Sequence, residues 1–305
     1  MFELVGTKDI TVQHATGSII VGELNKSPYW SKRSKRGTRA IWARDLRTFL
    51  TFVRDQYSTA RHVKRSDAPK EKRDDFFTFN SFDEAMHTFI REPHTIRKFK
   101  AKEDDILIPD NLGQDVQFDV TGDYIDMGRF MEGDPEHFGN MHMGNPNNVF
   151  ATIMLNISAP GHLQTGVLER RAQRVLRLVD WLESQQIRTQ VVAVKANECT
   201  YLELTLKQFQ DSINLDSMAV VCHNDFLRRV LFRVAEYSST YTWSYGLAAM
   251  VNNGLMKLPI NRDSNILVLS EAQATIDETD ALFDKTERTI EKNLTEGEQR
   301  FNILT

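Results

Sequence analysis

A near-continuous apolar run from Val149 to Ile157 is the feature that most constrains the fold of this chain. Such a run is typical of a strand buried on both faces, as in a parallel sheet. The next apolar residues recur at three- and four-residue steps and predict a long amphipathic helix: Leu168, Ala172, Val175, Val179 and Leu182. A second strand is predicted at Thr189 to Lys195. The order strand, helix, strand predicts the α/β class.

The pattern continues toward the end of the sequence. Tyr201 to Leu206 alternates like an edge strand, and Phe226 to Tyr237 has helical spacing. Ile266 to Leu269 is a further buried strand, and Glu271 to Leu294 is an acidic helix. We therefore expect residues 147–305 to form one doubly wound, mostly parallel sheet with helices on both faces, and to fold alone.

Residues 1–146 are expected to form a basic region of mixed helices and loops. One apolar stripe at helical spacing comprises Trp42, Leu46, Phe49, Leu50, Val53 and Tyr57. Ser81 and Glu84 make a capping box, and Pro93 ends the helix that follows. A stretch rich in soft ligands contains Met131, His137, Met141, His142 and Met143. We interpret it as a connecting loop because its spacing matches no copper ligand set.

The formal charge of −4 is unevenly distributed along the 305 residues. Residues 1–102 hold 21 Lys and Arg against 12 Asp and Glu, a net of +9. The remaining residues hold 17 against 30, a net of −13. Such asymmetry indicates a protein that binds a polyanion or an acidic surface, and the alternative is a solvated basic face without a partner.

The cations of the N-terminal third are interleaved with aromatic residues. Positive charge follows a nucleic-acid backbone, and aromatic faces stack on any base, so this mixture is typical of sequence-tolerant single-strand binding. The residues predicted to bind are Tyr29, Trp30, Lys32, Arg33, Lys35, Arg36, Arg39, Lys64, Arg65, Arg97, Lys98 and Lys100.

Three further arginines align on the long helix of the C-terminal half. Arg170, Arg174 and Arg177 are spaced by four and three residues, which places them on one face. Aligned guanidinium groups are suited to phosphates or to an acidic partner. The alternative is a solvated helix face that pairs in part with Asp180 and Glu183.

Familiar catalytic sequences do not occur in this chain. It has no phosphate-binding loop, no dinucleotide-binding glycine motif, no HExxH motif and no nucleophile elbow. Cys199 and Cys222, without metal-ligand spacing, are interpreted as reduced packing residues. The start of the sequence resembles neither a signal peptide nor an anchor. We expect a cytoplasmic protein that is not an enzyme, needs no cofactor and does not enter a membrane.

The segment Phe150 to Lys195 carries a resemblance. Its strand, its turn of the form N-x-S-x-P, its long helix and its second strand resemble a von Willebrand factor A domain. It is also similar to an uncharacterised family of phage-encoded proteins, which have a Gly-Asp-Pro-Glu stretch like residues 133–136 before such a fold. The resemblance implies an interaction module in the cytoplasm of an infected host cell.

Relatives of that domain bind a divalent cation through a D-x-S-x-S turn. In this chain Asn156 replaces the acid and Pro160 replaces the second hydroxyl, so Ser158 alone remains. An amide lacks the charge that holds magnesium, and proline offers no side-chain ligand. The degenerate turn at Asn156 and Ser158 therefore predicts no metal site.

These observations favour a non-enzymatic accessory factor of phage transcription or replication that binds single-stranded DNA and a protein partner. The chain resembles the single-stranded-DNA-binding proteins by which N4-like phages recruit their RNA polymerase. Two alternatives stay open at this point. One is a pure protein-interaction adaptor, for example for an AAA-type ATPase, and the other is a phage structural or host-takeover protein.

Overall fold

A computed structural model describes fourteen segments of the chain. They are residues 10–16, 19–24, 38–58, 77–96, 116–119, 124–125, 131, 138–141, 149–157, 166–196, 200–238, 266–270, 275–296 and 301–304. The strands are β1 (Ile10–Thr16), β2 (Ile19–Leu24), β3 (Thr38–Ala43), β4 (Val116–Asp119), β5 (Tyr124–Ile125), β6 (Phe138–Met141), β7 (Phe150–Asn156), β8 (Arg188–Ala196), β9 (Thr200–Lys207), β10 (Ile266–Ser270) and β11 (Phe301–Leu304). These strands form the two sheets described below.

Along the chain, the helices come between strands of the larger sheet. They are α1 (Leu46–Tyr57), α2 (Phe82–Arg91), α3 (Val167–Ser184), α4 (Leu215–Val221), α5 (Phe232–Ser238) and α6 (Ile276–Thr295), with a 3₁₀ turn at Pro93–Ile96 and a π-helical turn at Phe226–Leu231. Among the residues described, no helix is long and apolar enough to cross a membrane.

Eight strands form the larger sheet, in the order β1-β2-β3-β9-β8-β7-β10-β11. Strands β3 and β9, β8 and β7, β7 and β10, and β10 and β11 run parallel. The pairs β1–β2, β2–β3 and β8–β9 run antiparallel. The predicted α/β class is confirmed. The sheet is mixed and not a plainly parallel, doubly wound one, because β9 returns as an antiparallel hairpin partner of β8 and the pairs β1–β2 and β2–β3 are also antiparallel.

Most of the core lies on one face of this sheet. Residues at alternate positions of the strands belong to it, among them Ile41, Ile153, Val191 and Leu202. The same core contains apolar residues of every helix named above except the 3₁₀ turn. Strand residues between these positions, such as Met154, are also buried but lie outside this core.

Three N-terminal strands, which the sequence analysis had not predicted, belong to this sheet. Arg39 of β3 pairs with Thr200 of β9, and the rings of Phe49 and Phe226 are 6.1 Å apart in the shared core. The predicted boundary between residues 146 and 147 therefore does not separate two sheets. It also does not separate two cores, so the N-terminal region is more than helices and loops.

The predicted apolar stripe of the first helix is only partly correct. The carboxylate of Asp45 accepts a hydrogen bond from the Thr48 backbone N–H at 2.7 Å, so α1 begins at Leu46. Trp42 lies before this cap and belongs to β3 instead. The other five residues of the stripe are buried as predicted. The cap of α2 is confirmed, since Ser81 Oγ accepts from the Glu84 backbone N–H at 3.1 Å.

Two further predictions about strands need correction. Strand β9 covers the predicted edge strand but lies inside the sheet, because β3 pairs with its second side. The Met- and His-rich stretch, predicted as a loop, contains β6, which forms a three-stranded sheet with β4 and β5. Both pairings join residues distant in sequence, so local patterns did not indicate them.

Candidate functional site at the carboxyl end of the sheet

The carboxyl ends of three parallel strands meet at one end of the large sheet. Asn156 of β7 pairs with Val194 near the end of β8, and Leu155 pairs with Ser270 at the end of β10. The antiparallel β9 begins at the same end with Thr200. Open α/β sheets bind their ligands at this end, which we call the carboxyl end of the sheet.

The basic segment predicted to bind nucleic acid joins two strands at this end. Leu24 of β2 pairs with Thr38 of β3, and Thr38 lies beside the start of β9. Residues 25–37 connect these two positions, with five Lys and Arg, Tyr29, Trp30 and no acidic residue. This cationic connection therefore begins and ends at the carboxyl end of the sheet.

Lys195 lies near the end of β8 and is 2% exposed. Its Nζ is 5.2 Å from the centre of the Phe232 ring, and Cζ of Arg228 is 5.3 Å from the same centre. No described residue offers Nζ a hydrogen-bond acceptor. Burial, and then the charge of Arg228, lower the pKa of Lys195 to about 7. A buried ammonium group without a carboxylate is an expensive arrangement in the core of a protein.

A small cavity of about 10 Å³ adjoins Lys195. Its other lining residues come from β3, α1, the start of β9, the π-helical turn and α5; they include Ile41, Phe49, Leu231 and Val234. This volume is near the smallest that holds one water-sized atom. Lys195 therefore lies against a small and largely apolar space.

A buried guanidinium occupies the end of β7. Arg171 of α3 is 1% exposed and donates a hydrogen bond from Nη1 to the Asn156 carbonyl oxygen at 2.8 Å. Burial lowers the pKa of Arg171 to about 10, although the nearby Cys222 acts in the opposite direction. A fixed positive charge here opposes a cation at the degenerate turn. Ser158 lies outside the described residues.

A polar group of three residues lies on the face of the sheet opposite the main core. The Tyr201 hydroxyl donates to a carboxylate oxygen of the half-buried Glu203, and the Trp42 ring contacts Tyr201 edge-on at 6.1 Å. Burial raises the pKa of Glu203 to about 7, against the opposing hydrogen bond from Tyr201. This group was not predicted from the sequence, in which the alternation of β9 is the one signal that places Tyr201 and Glu203 on one face.

A fully buried ion pair joins the π-helical turn to the N-terminal third. Asp225 and Arg229 are both 0% exposed, with Nε and Oδ1 3.0 Å apart. The other Asp225 oxygen accepts from the Thr78 backbone N–H at 2.7 Å, and Arg229 donates to the Phe79 carbonyl oxygen. Burial raises the pKa of Asp225 in spite of these contacts. This pair was not predicted from the sequence, although its spacing of four residues is the signal that could have indicated it.

The three aligned arginines of α3 face α6. Arg170 Nε lies 2.7 Å from an Asp280 oxygen, and the buried Arg174 pairs with Asp284 and with Glu287. The half-exposed Arg177 lies 3.9 Å from Glu287. The stripe thus helps to join two helices, through acidic residues of α6 rather than Asp180 and Glu183. That it also binds nucleic acid stays a prediction.

The other predicted nucleic-acid residues lie mostly outside the described part of the chain. Arg39 belongs to β3, where only its backbone is described. The residues outside are Tyr29, Trp30, Lys32, Arg33, Lys35, Arg36, Lys64, Arg65, Arg97, Lys98 and Lys100. Within the described residues, no group of three or more His, Cys, Asp or Glu side chains is arranged to hold a metal ion.

Comparison with known proteins places the chain in a family. No curated protein and no solved structure matches it. A family profile matches residues 32–295, which include all but three of the eleven strands described and all the helices described. The chain therefore belongs to the family described as a domain of unknown function, DUF7192.

Proposed function

We propose that this protein is a non-enzymatic nucleic-acid-binding accessory factor that binds single-stranded DNA across the carboxyl end of its sheet. One observation supports this most strongly. The cationic and aromatic connection at residues 25–37 begins and ends at the carboxyl end, where Lys195 also lies. Charge for a phosphate backbone and rings for stacking thus occur together in one connection, whose two flanking residues lie at this end of the sheet.

The fold supports a binding site at this place. We propose that residues 147–305 are a divergent relative of the von Willebrand factor A domain. In support, the strand order β9-β8-β7-β10-β11 reverses its direction between β7 and β10. Ligands of open α/β sheets bind where the strand order reverses.

We further propose a phage-encoded protein that acts in the cytoplasm of an infected host cell. A protein partner accompanies the DNA, and the resemblance implies a phage RNA polymerase. The acidic part of the chain supports a separate protein-binding surface, because a net charge of −13 over residues 103–305 repels a nucleic-acid backbone.

Fluorescence anisotropy with a labelled single-stranded oligonucleotide tests the DNA proposal. Replacing Lys32, Arg33, Lys35 and Arg36 with Glu should weaken binding to every sequence, because those contacts are to phosphates. Trp30→Ala should weaken binding through lost stacking.

The matched control reverses four cations outside the carboxyl end. Arg47, Lys285, Arg288 and Lys292 lie exposed on α1 and α6, and their replacement with Glu changes the net charge by the same amount. If both quadruple variants lose the same affinity, net charge alone explains binding. No binding by the unaltered protein at low salt would remove the DNA proposal and favour the protein-interaction adaptor.

A further inference from the structure

Two lysines on the same hairpin have opposite environments. Lys207, at the end of β9, is 3% exposed, and its Nζ lies 2.6 Å from a Glu183 oxygen and 2.9 Å from the Thr189 carbonyl oxygen. Lys195, near the end of β8, is equally buried but has no described acceptor. A buried cation normally has a counter-charge, so the difference between them needs an explanation.

We propose that Lys195 is the anchor of a binding site for a phosphate group, one oxygen of which enters the cavity beside Nζ. The cavity has room for about one oxygen-sized atom, and Lys195 is one of the residues that line it. Arg228 lies on the same Phe232 ring and adds a second positive charge. The position at the carboxyl end of β8 is one where α/β sheets bind ligands.

The surroundings of Lys195 favour an anion over neutralisation by protein groups. The elements around it contribute Ile41, Phe49, Leu231 and Val234, all apolar, and the Tyr201 hydroxyl bonds to Glu203. Arg228 is the charged neighbour that lowers the pKa of Lys195. Among the residues that line the cavity, an anion would therefore meet the cation of Lys195 and no carboxylate. Arg228, on the adjacent Phe232 ring, supplies the second positive charge from outside this lining.

Protonation of Lys195 accompanies this binding. Its pKa of about 7 leaves Nζ partly neutral in the empty protein, and a bound dianion would favour the ammonium form. Binding therefore takes up a fraction of a proton at pH 7. Above pH 7 the apparent affinity should fall by about tenfold per pH unit until the bound-state pKa is reached.

Titration calorimetry of the full chain with inorganic phosphate, at constant ionic strength, tests the site. Lys195→Met should abolish binding, and it should still fold because it replaces a buried charge with an apolar side chain of similar length. Lys207→Met is the matched control and should bind as the unaltered protein does. Equal binding by the unaltered protein and Lys195→Met would overturn the proposal.

A second measurement needs no variant. Sulfate keeps its two charges over the pH range around 7, so any pH dependence of its binding belongs to the protein. Calorimetry with sulfate, in two buffers of different ionisation enthalpy, should show proton uptake near pH 7. No binding of either anion at pH 6, or binding without proton uptake at pH 7, would exclude Lys195 as the anchor.

The source of the phosphate is a separate question, because this site does not depend on the DNA proposal. If strand phosphates occupy it, inorganic phosphate should displace an oligonucleotide from the unaltered protein more readily than from Lys195→Met. If a free phosphate or small phosphate ester is the ligand, phosphate should bind by calorimetry and leave oligonucleotide affinity unchanged at constant ionic strength. Either result supports the site and identifies its ligand.

Discussion

The buried arginine at the α3–α6 interface differs from the buried lysine at the carboxyl end of the sheet. At the interface, Arg174 has carboxylates on Asp284 and Glu287. At the carboxyl end, Lys195 has an aromatic ring, a neighbouring arginine and no described acceptor. The difference indicates two roles. Cations paired with carboxylates join secondary-structure elements, and Lys195 binds a ligand.

The buried pair Asp225–Arg229 should show the largest structural effect. Asp225→Ala leaves a fully buried guanidinium without its carboxylate and should lower the free energy of unfolding by about 3 to 5 kcal/mol. Urea denaturation measures this change. The control is Asp55→Ala, which removes an exposed pair with Arg54 and should cost less than about 1 kcal/mol. Similar losses in both variants would contradict the structural role of the buried pair.

The two lysines of the hairpin should differ in stability. Lys207→Met removes a hydrogen-bonded partner of Glu183 and should lower the free energy of unfolding by about 1 to 3 kcal/mol. Lys195→Met removes a buried charge without a described acceptor and should leave stability unchanged or raise it. Thermal and urea denaturation in phosphate-free buffer compare the variants. A larger loss for Lys195→Met would show that this lysine has a structural partner.

The pH dependence of the free energy of unfolding should show the titration of Glu203 and that of Lys195 in two adjoining pH ranges. Glu203 has a folded-state pKa raised from 4.5 to about 7, so the native state binds more protons and stability falls from about pH 4.5 to 7. Lys195 has a folded-state pKa lowered from 10.5 to about 7, so the unfolded state binds more protons and stability rises from about pH 7 to 10.5. Each contributes at most about 1.4 kcal/mol per pH unit.

Single variants separate these two contributions. Glu203→Gln should remove the fall below pH 7 and leave the rise above it, whereas Lys195→Met should do the reverse. Denaturant titrations at a series of pH values, in buffers without phosphate or sulfate, measure both. A curve that neither variant alters would mean that other groups dominate and that the two environments are not as described.

Magnesium should have the smallest effect. Asn156 lacks a charge, and Arg171 donates to its carbonyl oxygen, so the end of β7 repels a cation. Millimolar magnesium should leave the melting temperature unchanged, whereas a bound ion would raise it by mass action. A rise of several degrees that Ser158→Ala abolishes would show a working metal site.

Helices were predictable because their signals are local. The periodicity of Leu168 to Leu182 and the cap at Ser81 describe interactions within a few residues, and both are confirmed. The strands β1 to β3 were not predicted. These strands pair with one another in hairpins, and β3 also pairs with β9, far along the chain. In β1, apolar and polar side chains alternate only weakly, as Val12, His14 and Thr16 show.

The candidate site was less predictable than the fold. Cation clusters indicated a polyanion ligand from composition alone, but the pairing of Leu24 with Thr38 decides at which end of the sheet the segment with the cluster begins and ends. The sequence indicates only that Lys195 is a polar residue at the end of a predicted strand. Phe232, more than thirty residues later, is among the residues that bury it. Burial by a distant element has no signal in the local sequence.

The salt dependence of oligonucleotide binding tests the central claim most directly. A protein that neutralises phosphates releases counterions, so the logarithm of affinity should fall linearly with the logarithm of salt concentration. With about four to six single-strand contacts, the expected slope is about −3 to −4. Reversing Lys32, Arg33, Lys35 and Arg36 should flatten this slope, and Trp30→Ala should leave it almost unchanged. A slope near zero, or a steep slope that the charge reversal does not alter, would contradict a polyanion site at the carboxyl end of the sheet.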